Sequence, residues 1–486
     1  LPYQVSRQGP PLAVADVDGD GLEDVFVGGT EASPGRLFLQ RRDGRFVEAP
    51  SQPWAADRDA DDWGALFFDA NGDGKPDLYV ASGGYRIPAP NSVYQDRLYI
   101  NQGHGRFVKD AAALPPMPTS KAAVVACDFN GDHRPDLFVG GRLTPRHYPL
   151  PARSYILRND GGRFTDVTRE MAPELLQPGG MVTAAVCTDF DGDGRMDLVT
   201  AGEWMPIQFY RNDGAHLRNV TASMHLPPMR GWWYSLAAGD FDHDGRVDLV
   251  AGNLGLNSSY TTSKESRFGV YAADFSGRGI SDVVFTQEIG GTEYPYYGLA
   301  LLGSTITQLA LQYRTFKSFA EASVQQIFGS ALKGAVHYQV DTFASTWLHN
   351  DGKGSFTPRQ LPPLAQIAPI QCIVADDVDG DGNLDLIVAG NLYETEANTA
   401  RADAGKGLWL EGDGHGGFTP VPPWRSGFLA PLDVRACALV HTASGKAVVV
   451  ANNDGPLQLF ALAPGKPPVQ PRPAAATPAA ARPTRR

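Results

Sequence analysis

The chain has 486 residues, too many for one ordinary domain unless it is a repeat array, a large barrel or a propeller. It is 42% hydrophobic, enough for a substantial core, and its 54 glycines and 38 prolines suit short strands with frequent turns. A formal net charge of −12 argues against a nucleic-acid phosphate backbone as the main partner, and no run of about 18 apolar residues is present to form a transmembrane helix.

The chain starts at Leu1 with neither Met nor a signal-peptide pattern, as a mature, processed protein would. Residues 16–24 then read DVDGDGLED, between the apolar stretches PLAVA and VFVGG. Like charges this close repel: two carboxylates about 4 Å apart cost roughly 4 kcal/mol at an effective dielectric near 20. The nonapeptide returns as DANGDGKPD (69–77), DFNGDHRPD (128–136), DFDGDGRMD (189–197), DFDHDGRVD (240–248) and DVDGDGNLD (377–385), with a degraded copy, DFSGRGISD, at 274–282.

Positions 1, 3 and 5 carry Asp or Asn in every intact copy, and position 9 is always Asp. Alternating carboxylates, a backbone carbonyl at position 7 and a glycine-assisted turn are how a hard cation is wrapped, and oxygen-only donors point to Ca²⁺ over zinc or copper. Mg²⁺ fits less well because it demands a smaller octahedron and keeps its waters. The expected ligands are Asp16, Asp18, Asp20, Leu22 and Asp24; Asp69, Asn71, Asp73, Lys75 and Asp77; and Asp128, Asn130, Asp132, Arg134 and Asp136. The remaining three loops offer Asp189, Asp191, Asp193, Arg195 and Asp197; Asp240, Asp242, Asp244, Arg246 and Asp248; and Asp377, Asp379, Asp381, Asn383 and Asp385, position 7 always through its carbonyl. Up to six Ca²⁺ ions follow, one per intact loop. An EF-hand is excluded, because position 12 is Val27, Val80, Val139, Thr200, Ala251 or Val388 and supplies no carboxylate. His133 and His243 stand where glycine usually does and read as residues tolerated on unusual backbone. In the degraded copy Arg278 takes position 5, where a guanidinium replaces the ion, so no metal is expected there.

A second motif follows most loops: LFLQRRDGRF (37–46), LYINQGHGRF (98–107), ILRNDGGRF (156–164), FYRNDGAHL (209–217), WLHNDGKGSF (347–356) and LWLEGDGHGGF (408–418). Each reads as strand, tight turn, strand. One unit is therefore four antiparallel strands, and its repetition predicts an all-β propeller over residues 1–463. The last unit, 433–463, lacks the acids and shows three strands; LPYQVS at the N-terminus could supply its fourth. Seven blades are favoured, with 253–343 as an insertion in the fifth; eight follow if 274–282 marks a blade of its own. Within the insertion, SFAEASVQQIFG (318–329) has a helical pattern. The Pro/Ala-rich basic tail, 464–486, reads as an extended linker unless a partner subunit holds it.

With these motifs in hand, the chain resembles the FG-GAP/VCBS repeat proteins, whose blades are those of the integrin α-subunit propeller. It is similar in particular to bacterial secreted proteins of the cartilage-acidic-protein-like, ASPIC/UnbV-associated group. GWWYSLAAGDFDHDGRVDLVAGNLGLNSSY (231–260), FASTWLHNDGKGSF (343–356) and PIQCIVADDVDGDGNLDLIVAGN (369–391) carry the likeness. The resemblance implies Ca²⁺ in the blade loops, an extracellular, cell-surface or periplasmic location, and a role in adhesion or in binding protein or glycan. No C-terminal ASPIC/UnbV domain is found.

Catalytic signatures are weak. GDGHGG (412–417) fits GxGxxG but no helix follows, and there is no HExxH, GxSxG or P-loop. A non-enzymatic interaction module is expected; the alternative is a polysaccharide lyase or hydrolase on the ring face opposite the loops. Trp204, Trp232, Trp233, Tyr234, Tyr294, Tyr296, Tyr297 and Trp424 are core residues or a contact rim, with TEYPYYG (292–298) preferred as contact surface. Cys127, Cys187, Cys372 and Cys437 show no metal spacing and read as small buried hydrophobes, with a Cys372–Cys437 disulfide left open.

Overall fold

A computed structural model of the protein describes residues 3–6, 8–30, 33–177, 179–352, 354–396 and 399–462. The 464–486 tail, and the partner contact expected of it, lie outside these residues.

The repeat unit folds as its pattern dictates. In the first, Leu12–Ala15, Asp24–Val27, Arg36–Gln40 and Phe46–Glu48 pair antiparallel in chain order. The sheets that begin at Asp61–Phe68, Lys121–Cys127, Met181–Thr188 and Cys372–Asp376 repeat that order. Each nonapeptide is the turn between first and second strands, and each Gly-rich turn joins third and fourth. The second strands Asp77–Gly83, Asp136–Gly141 and Asp197–Met205 are buried at every position, because a neighbouring sheet covers each face. The short fourth strands, such as Phe107–Lys109, turn charged residues outward.

The seven first strands touch in cyclic order, Val434–Thr442 of the last sheet returning to Leu12–Ala15 of the first. An apolar cluster fills each interface between neighbours: Phe26, Trp54 and Phe107 between the first and second sheets, Phe138, Ile156 and Tyr210 between the third and fourth. The smallest, Val25, Val440, Ala447 and Val449, lies where the last sheet meets the first. Burying each such side chain contributes about 1.5–3 kcal/mol, so the chain has an all-β, propeller-like fold whose stability sits between sheets.

An eighth sheet interrupts the fifth. Between Asp248–Gly252 and Thr346–Gly352 the chain forms Phe268–Ala273, Asp282–Ile289, Thr292–Pro295 and Val336–Val340, and the degraded loop 274–282 is the turn between the first two of these. This sheet covers part of the ring mouth, on the side where the first strands begin. There Phe268, Val270, Phe285 and Val340 pack with Trp204, Trp232, Tyr260 and Phe343. The helical pattern at 318–329 becomes two short helices, Phe316–Ala320 and Val324–Phe328, because Ser323 caps the second through a reciprocal bond with Gln326. Helices Leu299–Thr305 and Thr307–Gln312 precede them, and the sequence reading missed both.

Two expectations are corrected. Tyr3–Ser6 of LPYQVS do not complete the last sheet, which has three strands among the described residues, Val434–Thr442, Gly445–Asn452 and Gln458–Ala461. Instead Tyr3 bridges Thr395, and Tyr3 and Val5 are buried in the mouth cluster, Tyr3 edge-on to Trp232 at 6.5 Å. An aromatic side chain gains more there than on an exposed sheet edge. The cysteines are not free hydrophobes: Cys127 pairs with Cys187 and Cys372 with Cys437, at Cα separations of 6.3 and 5.6 Å. Each bond joins first strands of adjacent sheets, a contact that sequence spacing of 60 or 65 residues does not reveal.

Closing a loop of that length stabilises by about 4 kcal/mol in the chain-entropy treatment. Reduction, or Cys127→Ser with Cys187→Ser, is expected to lower the thermal unfolding midpoint measured by circular dichroism; an unchanged midpoint contradicts this.

Candidate metal centres

The six intact loops share one hydrogen-bond scheme, built by their own backbone. The position-1 carboxylate accepts successive N–H groups: Asp16 those of Gly19, Asp20 and Gly21 at 2.8, 3.2 and 2.9 Å. Asp69, Asp128, Asp189 and Asp377 repeat this, while Asp240 accepts from Asp244 and Gly245. Position 3 accepts from the position-5 N–H, and position 5 from the position-7 N–H, in every loop. His133 and His243 do sit on left-handed backbone, at φ of 65° and 58°.

Position 9 reaches further. Asp24 is fully buried and accepts the Val17 N–H on one oxygen and the Gln40 N–H, at the end of the third strand, on the other. Asp77, Asp136, Asp197 and Asp385 bond in the same way. Burial pushes the carboxyls of Asp24 and Asp197 up to about 7, and those of Asp77, Asp136 and Asp385 up to about 6.

The third-strand residue that meets position 9 is functional in a way the sequence reading did not assign. Asn101, Asn159, Asn212 and Asn350 each donate one side-chain N–H to the position-8 carbonyl of their own loop. Each gives the other to the position-2 carbonyl of the preceding sheet's loop: Val17, Ala70, Phe129 and Phe190. Their side-chain oxygens accept from the following hairpin glycine. The signal was available in the recurring Asn of INQG, RNDG and HNDG. In the first sheet Gln40, longer by one methylene, reaches the His441 carbonyl of the last sheet, and its oxygen accepts the Ala443 N–H.

The expected ligands converge unevenly. Ligand atoms lie within 4.8 Å of one another for Asp16, Asp18 and Asp24; for Asp189, Asp191 and Asp197; for Asp240, Asp242 and Asp244; and for Asp377, Asp379 and Asp385. Such oxygen-only groups have the chemistry to hold a hard dication. In the loops with Asn71 and Asn130 no three acids gather this way among the described residues, since position 3 is an amide. Lys75, Arg195 and Arg246 turn their side chains onto the position-5 carboxylates of Asp73, Asp193 and Asp244. These exposed pairs are weak competitors for a cation. In the degraded loop Arg278 lies 2.7 Å from Asp282 and bonds Ser276.

Of the aromatic candidates, Trp204, Trp232, Trp233 and Tyr234 are buried. Tyr296 and Tyr297 of TEYPYYG pack against the mouth cluster, so this stretch is only partly a surface. Trp424 is 84% exposed and lines an apolar groove of about 370 Å³ with Leu364 and Leu429.

With this geometry in place, the comparison with known families bears on it: the family model for the FG-GAP-like repeat matches residues 16–80, 88–139 and 189–251. It is similar to cartilage acidic protein 1 of Homo sapiens, 30% identical over 212 residues, which cover 42% of this chain and 30% of that protein. The protein of that name from Mus musculus is 28% identical over 218 residues, covering 43% and 32%. The chain spans less than a third of the length of the curated relatives it matches. Similar solved structures include the V. cholerae biofilm matrix protein Bap1 (TM-score 0.34, 11% identity, 93% of this chain and 86% of that one). Another is BBS1N in complex with ARL6DN (TM-score 0.42, 10% identity, 95% and 94%).

Two outcomes test the loop architecture. Asn212→Ala removes three hydrogen bonds and strands buried carbonyls, so the denaturant midpoint is expected to fall by the equivalent of about 2–4 kcal/mol. Freed of divalent cations, the folded chain binds more protons than the unfolded one between the ordinary Asp value near 4 and the raised values of 6–7. Its stability therefore falls as pH rises through that window. The cation-free protein should melt at a higher temperature at pH 5 than at pH 7.5, and the reverse order in a calorimetric scan refutes the assignment.

Proposed function

We propose that this protein is a calcium-loaded, non-catalytic interaction module that works outside the cytoplasm, in adhesion or in binding a partner protein or glycan. The observation that carries this reading is the fourfold recurrence of three converging carboxylates. Position 9 in three of these groups is buried, where an uncompensated negative charge is costly. A dication there offsets both the repulsion and the desolvation. The oxygen-only donor set favours Ca²⁺, and the loops with Asn71 and Asn130 would be the weaker sites. At the degraded loop Arg278 supplies the positive charge and no ion binds. The two disulfides support an oxidising compartment, and no helix among the described residues is long and apolar enough to cross a membrane. The likeness to cartilage acidic protein 1 supports an extracellular setting.

Extracellular Ca²⁺ modules have dissociation constants near 10⁻⁴ to 10⁻³ M. At 10 to 100 times that concentration each site contributes about 1.4–2.7 kcal/mol. EGTA should therefore lower the melting temperature markedly, with Ca²⁺ restoring it better than Mg²⁺. A melting curve indifferent to chelator and to added Ca²⁺ counts against the reading.

A second reading, action on a polysaccharide, draws on one observation. A cavity of about 1150 Å³ opens on the face opposite the loops, lined by Asp61, Asp454, Arg36, Arg86 and Trp63, and desolvation with the neighbouring Asp62 pushes Asp61 up to about 6. Any glycan cleavage should vanish in Asp61→Asn; cleavage that persists there removes this reading.

A further inference from the structure

The fifth loop differs from its siblings at its position-9 aspartate and at one histidine beside it. In the other intact loops the inner oxygen of position 9 accepts the position-2 N–H. In the fifth, Asp248 is fully buried and its Oδ2 lacks this bond, leaving the Trp347 indole N–H as the polar group beside its carboxyl. Next to it, the third strand places His349 where the first and second sheets have Leu39 and Ile100. Its Nδ1 lies 3.2 Å from Asp242 Oδ2 and 3.5 Å from Asp248 Oδ1, bonds neither, and is itself buried without a partner. On the far side of the ring, Nε2 lies 3.4 Å from Asp351 Oδ1.

We propose that Asp242, Asp248 and His349 form a mixed carboxylate–imidazole site for a first-row transition-metal dication, Zn²⁺ foremost, with Asp351 as positioning residue. A tetrahedral ion with bonds of about 2.1 Å sets its ligands about 3.4 Å apart, close to the two distances seen from Nδ1. Imidazole nitrogen suits zinc and its neighbours and is foreign to Ca²⁺, which takes oxygens. A carboxylate behind the second ring nitrogen is the usual outer partner of a metal-binding histidine, fixing its tautomer and orientation. Asp248 brings a fully buried carboxylate: its Oδ1, which faces Nδ1, also accepts the Asn350 N–H at 2.7 Å, and its Oδ2 has no hydrogen-bond partner. His349 lies about 100 residues beyond the nonapeptide, which hides it from any reading of the loop alone. The site rests on the premise of the calcium reading that the loop takes a cation, and it draws Asp242 from the Asp240, Asp242 and Asp244 group; its selectivity is independent of the other five loops.

The test uses the full chain, stripped of metal and then held in a large excess of Ca²⁺, titrated with Co²⁺ as the spectroscopic stand-in for Zn²⁺. A single Co²⁺ is expected to bind against the Ca²⁺ excess, with visible d–d absorption, and to be displaced by Zn²⁺. His349→Gln and Asp242→Asn should each abolish the band, Asp351→Asn should weaken binding about 10- to 100-fold, and His243→Asn, in the same loop, should leave it intact. Absence of the band in the wild-type protein overturns the site. A band unchanged in both His349→Gln and Asp242→Asn overturns it as well. The melting response to Ca²⁺ alone, read in parallel, reports on the other loops and separates failure of this site from failure of the calcium reading.

Discussion

The ring depends first on a buried carboxylate that, in five of its six intact loops, is answered by two backbone N–H groups. The position-9 aspartate cannot be hydrated, so it must be bonded, and its partners lie at the start of its own loop and at the end of its third strand. That requirement fixes where the loop sits over the sheet. It also brings the third-strand asparagine to the loop, whose amide then has one N–H left for the neighbouring sheet. A single aspartate thus sets the register within a sheet and, through the asparagine, the stacking between sheets. The apolar clusters supply most of the free energy, but they are non-directional and would tolerate sliding; the hydrogen bonds would not.

The same logic accounts for the exceptions. The sixth sheet ends its third strand with Gly412, which keeps the backbone bond to Asp385 and gives up the side-chain bridge; the Gly416 N–H reaches the Phe241 carbonyl of the fifth loop in its place. The inserted sheet has no ring neighbours to register against. There the loop has lost its acid at position 5, and Arg278 closes it locally.

What could be read from the sequence was what is local. The nonapeptides, the Gly turns and the four-strand unit are each specified within 50 residues of chain, and they fold where the pattern puts them. The helical stretch at 318–329 is visible too, except for the cap at Ser323 that divides it. What could not be read depends on which distant elements touch. The pairing of Cys127 with Cys187, the lodging of Tyr3 in the mouth and the approach of His349 to Asp248 all follow from ring geometry. Only the recurring asparagine was both long-range in effect and plain in the sequence, and its hairpin position concealed that it also bonds outward.

Gln40 carries a consequence for how the molecule is made. Its bonds to His441 and Ala443, together with Glu23 on His441, span about four hundred residues and sit over the smallest apolar cluster of the ring. Loop-closure entropy is paid before such contacts return anything. During synthesis the early sheets can therefore stack on one another well before the circle exists, leaving the outer face of the first sheet bare until the last emerges. The join is the latest part to form and, having the least apolar surface, the first expected to open under load.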